Sequence, residues 1–291
     1  MANSLREVKT RIASTKSTAQ TTKAMYMVSQ SKVRRAEKTY KDYQSFMQNI
    51  RKMVTNVVSK IDTDYKHKLM QERPIHKTCY LIVTSDRGLA GAYNSNIFKA
   101  LDNIIKERHT SKDEFITASI GRKGYNYINS KGYPTVNTEP TNVRDDVMFL
   151  DVVPLAKGII DLYLEGKIDS LVVIHNHYVN SISQNVEFTN LLPIVNIDFE
   201  HNETEYIFES GIEKTLDMLL PMYIEDMIYG IILDAKTSEH CSRMNSMRNA
   251  SDNADEVIAK LQLLYNRARQ EVITNELIDI IGGANAIGGN E

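Results

Sequence analysis

Small and apolar residues recur at alternating steps of three and four through the first sixty residues of the chain. The pattern continues without a slip at the following positions: Leu5, Val8, Ile12, Thr15, Ala19, Thr22, Tyr26, Ser29, Val33, Ala36, Tyr40, Tyr43, Met47, Ile50, Val54, Val57 and Ile61. This spacing is typical of the heptad seam of a coiled coil, and no Pro or Gly interrupts it. At 1.5 Å per residue it predicts one helix roughly 85 Å long, too long for the interior of a compact domain.

A second helical pattern fills the C-terminal end of the chain, from near Glu209 to about Ile281. Its later part repeats the three-four spacing at these positions: Met247, Ala250, Ala254, Val257, Leu261, Leu264 and Ala268. We expect Pro221 to start or bend the main helix, because proline suits a first turn better than an interior. Four glycines are expected to end the helix in a flexible tail: Gly282, Gly283, Gly288 and Gly289. This helix is the predicted antiparallel partner of the N-terminal one.

Between the two helices the apolar pattern changes to that of buried β-strands. Strands are predicted at residues 78–84, 114–120, 170–174 and 184–195. Amphipathic helices separate them, with one apolar stripe at Ile97, Leu101, Ile104 and Ile105 and another at Val152, Leu155, Ile159, Leu162 and Tyr163. Strands that alternate with helices indicate a parallel, doubly wound, Rossmann-like α/β domain.

The predicted fold class is therefore α/β plus a long antiparallel α-helical coiled coil. We expect three segments along the chain. The N-terminal long helix occupies residues 1–76, the central α/β domain residues 77–198, and the C-terminal long helix with its tail residues 199–291.

Charge is distributed unevenly along the chain. The net charge is −2, but residues 1–60 carry 13 Lys or Arg against 3 Asp or Glu, and the other residues carry 22 against 34. The excess of positive charge on the N-terminal helix predicts an acidic partner. A nucleic-acid arm is an alternative for a basic helix, but these charges are spread around the helix and no aromatic stacking platform accompanies them. We expect no nucleic-acid partner.

The sequence offers no membrane-spanning segment of its own. No stretch reaches the roughly 18 apolar residues that a spanning helix needs, and the N-terminus lacks the apolar core of a secretory signal. Cys79 and Cys241 lie far apart without metal-ligand spacing, so we interpret them as buried or inactive thiols in a reducing compartment. We expect a cytosolic or peripheral chain that meets a membrane only through a partner.

Two short motifs invite a chemical interpretation. Residues 88–91 (GLAG) follow a strand and open a helix, but they lack the lysine and hydroxyl of a P-loop, so we predict a tight turn with a helix cap from Asn94 or Ser95. His175 and His177 alternate onto one face of a strand, yet no third metal ligand is evident nearby, and we expect a solvated strand end. No Ser-His-Asp order or paired-carboxylate motif is present. We expect no catalytic, cofactor-binding or metal-binding residue.

Three stretches of the chain resemble one protein family. The first is IAST at residues 12–15 with TKAMYMVS at 22–29 and Lys32, and the second is SDRGLAGAYN at 85–94. The third combines several short matches: Ser238, Glu239, Arg243, Met244, Ala250, Asn253 and Ala254, then YNRARQ at 265–270 and ITNEL at 273–277. These stretches resemble the signatures of ATP synthase gamma subunits, in the expected order and spacing. The resemblance covers essentially the whole chain.

The resemblance implies a non-catalytic rotor shaft that couples proton flow through a membrane sector to ATP synthesis or hydrolysis at alpha and beta catalytic sites. It implies the alpha, beta, epsilon and c-ring subunits as partners, one copy per complex, and a peripheral position on the cytoplasmic side of a bacterial cell membrane. It implies no cofactor. The positions that match the family's partner-contact and coupling residues are Lys23, Met25, Arg243, Arg269, Gln270 and Thr274.

The chain departs from the family pattern at two places. Thr21 stands where an apolar residue is more usual, and residues 175–177 replace an aromatic and a basic residue. Two other interpretations of the residues stay open. One is a free-standing coiled-coil adaptor with an α/β cargo domain, and the other is an α/β enzyme whose long helices only dimerise it.

Overall fold

A computed structural model describes residues 2–59, 67–195 and 211–288 of the chain. The helices and strands follow in this order: α1 (Ala2–Val58), β1 (Thr78–Val83), α2 (Tyr93–Arg108), β2 (Phe115–Ile120), α3 (Arg122–Lys131), α4 (Phe149–Leu164), β3 (Ser170–Tyr178), β4 (Gln184–Leu192) and α5 (Ile212–Gly288). Short 3₁₀ segments lie at Lys68–Met70 and Lys112–Glu114. The four predicted strands and the two long helices are therefore confirmed, while Ile61 and Glu209 lie outside the described residues.

The four strands form one mixed sheet in the order β2-β1-β3-β4. Strand β1 pairs in parallel with β2 and with β3, as predicted, but β4 runs antiparallel to β3. The prediction of a wholly parallel sheet is wrong at this edge. Only residues 179–183 connect β3 to β4, and a parallel crossover needs a dozen or more residues, so the chain can only turn back as a hairpin.

Two apolar cores cover the two faces of this sheet. Alternate residues of β1 point to opposite sides, so Tyr80 and Ile82 pack with the buried stripes of α2 and α3, whereas Leu81 and Val83 pack with α4, α5 and the end of α1. The sheet is thereby buried on both sides, which is why its central strands read as nearly continuous apolar runs.

By its contacts the chain divides into two compact units. The first unit combines Met1–Val28 with Met244–Glu291, and the second is Ser29–Arg243. In the second unit the later part of α1 packs antiparallel on the early part of α5. Tyr43 stacks edge-on against Tyr229 with ring centroids 4.9 Å apart, and its hydroxyl donates to the Asp226 carboxylate at 3.1 Å.

The predicted seam of α1 is confirmed at every position whose burial the structure gives. These residues are buried or half-buried, whereas every other residue from Leu5 to Val28 is exposed. The small seam residues Ala19 and Ser29 are both buried. The three-four pattern thus reports a true packing line, as expected for a helix that pairs along one narrow face.

The predicted seam of α5 is right at five of its seven positions. Met247, Ala250, Ala254, Leu261 and Ala268 are buried or half-buried, but Val257 and Leu264 are 43% and 51% exposed. The packing line instead uses Ile258 and Tyr265, one residue later in each heptad. Both choices are apolar and fit a three-four alternation through the same shared positions. Hydrophobicity alone therefore could not select the register. Because the packing line uses the later residue of each pair, Val257 and Leu264 remain exposed.

The ends of α5 differ from the sequence expectations. Pro221 lies inside α5 and does not start it, while a bend at Pro221 stays a prediction. Leu216 and Leu220 before it are fully buried, and their burial offsets the roughly 3 kcal/mol cost of an interior proline. The helix also continues past Gly282 to Gly288. Glycine disfavours a helix by only about 1 kcal/mol, so it permits the last two turns.

Candidate functional site

The six residues singled out from the sequence fall on both compact units. Lys23 and Met25 lie on α1 in the first unit, with Arg269, Gln270 and Thr274 on α5 in the same unit, and all five are exposed. Arg243 belongs to the second unit and is mostly buried. We call the five exposed residues the outer surface, and we call the contacts around the mostly buried Arg243 the inner contact.

The outer surface includes a polar depression on α5. Gln270 and Thr274 line a shallow depression of about 390 Å³ together with Arg267, Glu271 and Asn275. Arg269 is exposed on the same helix but does not line it. Gln270 and Thr274 stand off the packing line of Ala268 and Val272, so their amide and hydroxyl groups can reach a partner without disturbing the helix pair.

Apolar side chains also lie exposed on the first unit. On α5 they are Val257, Leu263, Leu264, Ile273, Leu277, Ile278, Ile280 and Ile281, and on α1 they are Met25, Met27 and Val28. We call these residues the shaft surface. Exposed apolar side chains that gather on one part of a soluble chain are typical of protein contact sites.

Cations surround the same stretch of α1. Between Leu5 and Val28 the helix exposes Arg6, Lys9, Arg11, Lys16 and Lys23, against Glu7 as the acidic residue. Exposed charges of one sign steer an acidic partner toward this surface and orient it more than they add affinity. The predicted basic character of the N-terminal helix is thus located on its solvent side.

The inner contact centres on a buried carboxylate. Glu239 lies between Lys236 Nζ at 3.1 Å and Arg243 Nη2 at 2.8 Å, and only 4% of its side chain is exposed. Lys236 also donates to the carbonyl oxygen of Val143 at 2.9 Å. We call Lys236, Glu239 and Arg243 the neck cluster. Burial alone would raise the pKa of the Glu239 carboxyl, but the two cations and the hydrogen bond from Arg243 hold it below its usual value.

The neck cluster ties α5 to the loop between β1 and α2. The Arg243 guanidinium lies 3.4 Å from the carbonyl oxygen of Arg87 and 3.5 Å from that of Gly88. The Ser242 hydroxyl donates to the carbonyl oxygen of Ala90 at 2.7 Å. From the start of α2, the Tyr93 hydroxyl donates to the carbonyl oxygen of Ala235 at 3.0 Å. Side chains and backbone thus join the helix to the sheet domain at one place.

The tight turn predicted at residues 88–91 is present, with left-handed backbone at Leu89 and Gly91 (φ 62° and 56°). The predicted cap is wrong, because Ala92 is the capping residue of α2 and no side chain caps it. Asn94 instead accepts from the backbone N–H of Ser85 at 3.1 Å and so closes the loop on itself. The loop is thus held together by Asn94 and contacts α5 through Ser242 and Arg243.

His240 adds a pH-sensitive group beside the neck cluster. Burial lowers the pKa of His240 to about 4, despite the nearby carboxylates of Glu239 and Asp145. As the pH falls, His240 is protonated near pH 6.5 in the unfolded chain but only near pH 4 in the folded chain. The neutral, buried imidazole therefore makes its full contribution to the free energy of unfolding above pH 6.5, and this contribution falls at lower pH. We expect His240 to lower the free energy of unfolding by about 2 kcal/mol as the pH falls from 7.5 to 5.

Urea unfolding at pH 7.5 and pH 5 measures this loss. The His240→Gln variant should lose about 2 kcal/mol less than the wild type over this interval. His76→Gln, at an exposed position, is the matched control and should follow the wild type. An equal loss in His240→Gln and wild type would contradict the assignment.

The expectation of a solvated strand end at His175 and His177 is wrong for His175. His175 is buried and His177 is half-buried, because the pair faces α5 and not solvent. The Asp234 Oδ2 atom lies 2.7 Å from His177 Nδ1 and 3.4 Å from His175 Nε2. Burial opposes protonation of His177, but the hydrogen bond and charge of Asp234, with that of Glu187, raise its pKa.

Sequence reasoning singled out Arg243 but missed its buried cluster with Lys236 and Glu239. Its trace in the sequence is a Lys, a Glu and an Arg at spacings of three and four on one helix, which also occurs on many solvated helix faces. The two thiols, by contrast, are free and buried as predicted. Within the described ranges, no helix has the length and apolar character to cross a membrane.

Comparisons with known proteins agree with this architecture. A family model described as ATP synthase matches residues 4–287. A chain of the Tetrahymena thermophila mitochondrial ATP synthase central stalk and c-ring structure is 25% identical with a TM-score of 0.59, covering 79% of this chain and 99% of its own. In Euglena gracilis mitochondrial ATP synthase, a chain of the OSCP/F1/c-ring structure is 18% identical with a TM-score of 0.69, covering 100% and 97%. A chain of the rotor structure is 15% identical with a TM-score of 0.61, covering 94% and 100%.

Proposed function

Because this chain belongs to the ATP synthase gamma family, we propose that it is the central rotor shaft of an F-type ATP synthase. It couples proton flow through the membrane sector to ATP synthesis or hydrolysis at the alpha and beta catalytic sites. The observation that carries this proposal is the family match over residues 4–287, which includes both long helices and the sheet domain between them.

The first unit is the part that works inside the ring of alpha and beta subunits. Its shaft surface offers apolar contact and its cations attract acidic loops, while Gln270 and Thr274 supply hydrogen bonds from the polar depression. In this proposal the three beta subunits meet different parts of this surface. Rotation then takes every catalytic site through different nucleotide affinities.

The second unit connects the shaft to the membrane sector. We assign its α/β domain to the epsilon and c-ring subunits, with one copy of this chain per complex. Within this unit the neck cluster holds α5 against the loop that precedes α2, through the Arg243 guanidinium that Glu239 accepts from. A peripheral position on the cytoplasmic side of a bacterial cell membrane follows, with membrane contact only through the complex.

The chain contributes no catalytic residue in this proposal. Among the described residues, the turn that most resembles a phosphate cradle is closed by Asn94 and covered by Arg243. We expect the purified full-length chain neither to hydrolyse ATP nor to bind it with micromolar affinity. Isothermal titration calorimetry with MgATP measures this directly, and micromolar binding would favour the alternative of an α/β enzyme.

Co-expression with alpha and beta subunits tests the proposed function. A tag on beta should recover this chain together with alpha and beta, and the recovered complex should hydrolyse ATP. Recovery of alpha and beta without this chain would favour the coiled-coil adaptor and contradict the rotor proposal. Deleting residues 244–288 is an informative comparison, because it removes α5 from the first unit and should abolish co-purification.

The polar depression should matter to catalysis more than to folding. We expect Gln270→Leu to lower ATP turnover of the assembled complex about two- to tenfold, since one lost hydrogen bond is worth roughly 0.5–1.5 kcal/mol. Helix content measured by circular dichroism should stay unchanged, because Gln270 lies off the packing line. Leu261→Gln, on the packing line, is the contrasting variant and should lower helix content. Equal loss of helicity in both variants would show that Gln270 is structural.

A further inference from the structure

Three potential metal ligands meet on one face of the sheet. His175 and His177 alternate on β3, and the antiparallel register sets Glu187 of β4 directly opposite His175. One ring nitrogen of each histidine and one carboxylate oxygen of Glu187 lie within 4.8 Å of one another. Two imidazoles and a carboxylate form a common protein site for Zn²⁺, with ligand bonds of about 2.0–2.2 Å.

A second observation points independently to a missing partner at this cluster. His175 is 3% exposed, and its Nδ1 atom has no hydrogen-bond partner among the described residues. An unsatisfied buried polar atom destabilises the folded chain, so native structures rarely keep one without a reason. A bound cation would supply the partner that this imidazole lacks.

Asp234 of α5 contacts one ring nitrogen of each histidine. Its Oδ2 atom contacts His177 Nδ1 at 2.7 Å and His175 Nε2 at 3.4 Å, and its Oδ1 atom accepts from the backbone N–H of Tyr178 at 3.0 Å. Carboxylates that hold the second nitrogen of a metal-binding histidine fix its tautomer and its ring orientation. Asp234 therefore has the position of an orienting group, and it brings α5 into the site.

The cluster also has room and access. It lies on a cavity of about 410 Å³ between the sheet, α1 and α5, and the three proposed ligands and Asp234 all line it. His175 is buried, His177 is half-buried and Glu187 is exposed. An ion can thus enter from the Glu187 side and bind next to His175.

We propose that His175, His177 and Glu187 bind one divalent transition-metal ion, with Zn²⁺ the best match, and that Asp234 orients the two imidazoles. Imidazole nitrogen with carboxylate oxygen suits Zn²⁺ better than Mg²⁺ or Ca²⁺, which prefer oxygen ligands alone. The ion cross-links the β3–β4 hairpin and, through Asp234, fastens it to α5. Its role is structural, and it does not depend on the rotor function.

Equilibrium dialysis of the metal-free full-length chain against ZnCl₂ tests the proposal. We expect one Zn²⁺ per chain with a dissociation constant of about 1 μM or tighter. His177→Gln and Glu187→Gln should each weaken binding at least about tenfold. His76→Gln and Glu139→Gln remove an exposed histidine and an exposed carboxylate elsewhere and should bind as the wild type does. Circular dichroism of every variant verifies that it is folded.

Two further readouts separate a built site from loose surface binding. The visible spectrum of the Co²⁺-substituted chain should show the intense bands of four-coordinate cobalt, and they should be absent in His177→Gln. Zn²⁺ at a hundredfold excess over its dissociation constant should raise the unfolding midpoint of the wild type by about 5–10 °C, and not that of Glu187→Gln. Less than one Zn²⁺ bound per chain at about 100 μM of added metal, or equal binding by all five proteins, would overturn the proposal.

Discussion

Replacing Glu239 with glutamine should lower the free energy of unfolding of the chain by about 3–5 kcal/mol. The carboxylate lies between Lys236 and Arg243, whose side chains are only 7% and 16% exposed. Glutamine keeps the shape but removes the charge, so both cations lose the partner that compensates for their burial. In a chain of this size the loss corresponds to a fall of roughly 6–15 °C in the unfolding midpoint.

A matched pair on the same helix supplies the control. Arg248 and Asp252 have the i,i+4 spacing of Glu239 and Arg243, but both are largely exposed and their atoms are 4.0 Å apart. Asp252→Asn should change stability by less than about 1 kcal/mol. Adding Lys236→Met to Glu239→Gln should recover at least about 1 kcal/mol, because it removes the more buried uncompensated cation. Similar losses in Glu239→Gln and Asp252→Asn would contradict the role of the neck cluster.

Replacing Met25 with lysine should impair coupling while leaving assembly intact. Met25 is 41% exposed beside the seam residue Tyr26, so a lysine can extend outward without disturbing the helix pair. It would add a cation to a turn that already exposes Lys23 and could bind an acidic loop of beta. A charge-assisted contact of about 1.5–3 kcal/mol is small against folding but biases one rotary dwell by roughly 10- to 100-fold.

Proton pumping per ATP hydrolysed, measured in vesicles across ionic strength, tests this expectation. The ratio should fall in Met25→Lys, most strongly at low salt, where screening is weakest. Met25→Gln has a similar length without the charge and should keep a ratio close to that of the wild type. An unchanged ratio in Met25→Lys at every salt concentration would remove Met25 from the coupling surface and leave it as packing.

The elements of this fold could be predicted from local patterns. The seam of α1 was predictable because small residues such as Ala19 and Ser29 keep the three-four spacing where hydrophobicity alone fails. The register of α5 was not, because Val257 and Ile258 are equally apolar and only the partner helix distinguishes them. The direction of β4 follows from its short connection, once the end of β3 is known.

The sites were less predictable than the elements. Exposed Gln270 and Thr274 lie off the packing line as expected, since helical periodicity alone separates the two sides of a helix. The neck cluster and the His175 cluster depend on contacts between residues far apart in sequence. Asp234 meets His177 across 57 residues, and Arg243 reaches Arg87 across 156. No local pattern reports such a contact, which is why the sequence predicts a solvated side chain at His175 and the structure buries it.

Rotation of this chain within the assembled complex is the most direct test of the rotor assignment. The alpha and beta subunits are fixed to a surface, and a bead is attached to the Lys99→Cys variant at an exposed position of α2. The native Cys79 and Cys241 are buried and should not react. On addition of MgATP, we expect the bead to rotate in one direction, with one step for each catalytic beta subunit. A bead that only fluctuates about a fixed angle, while the same complexes hydrolyse ATP, would contradict the account.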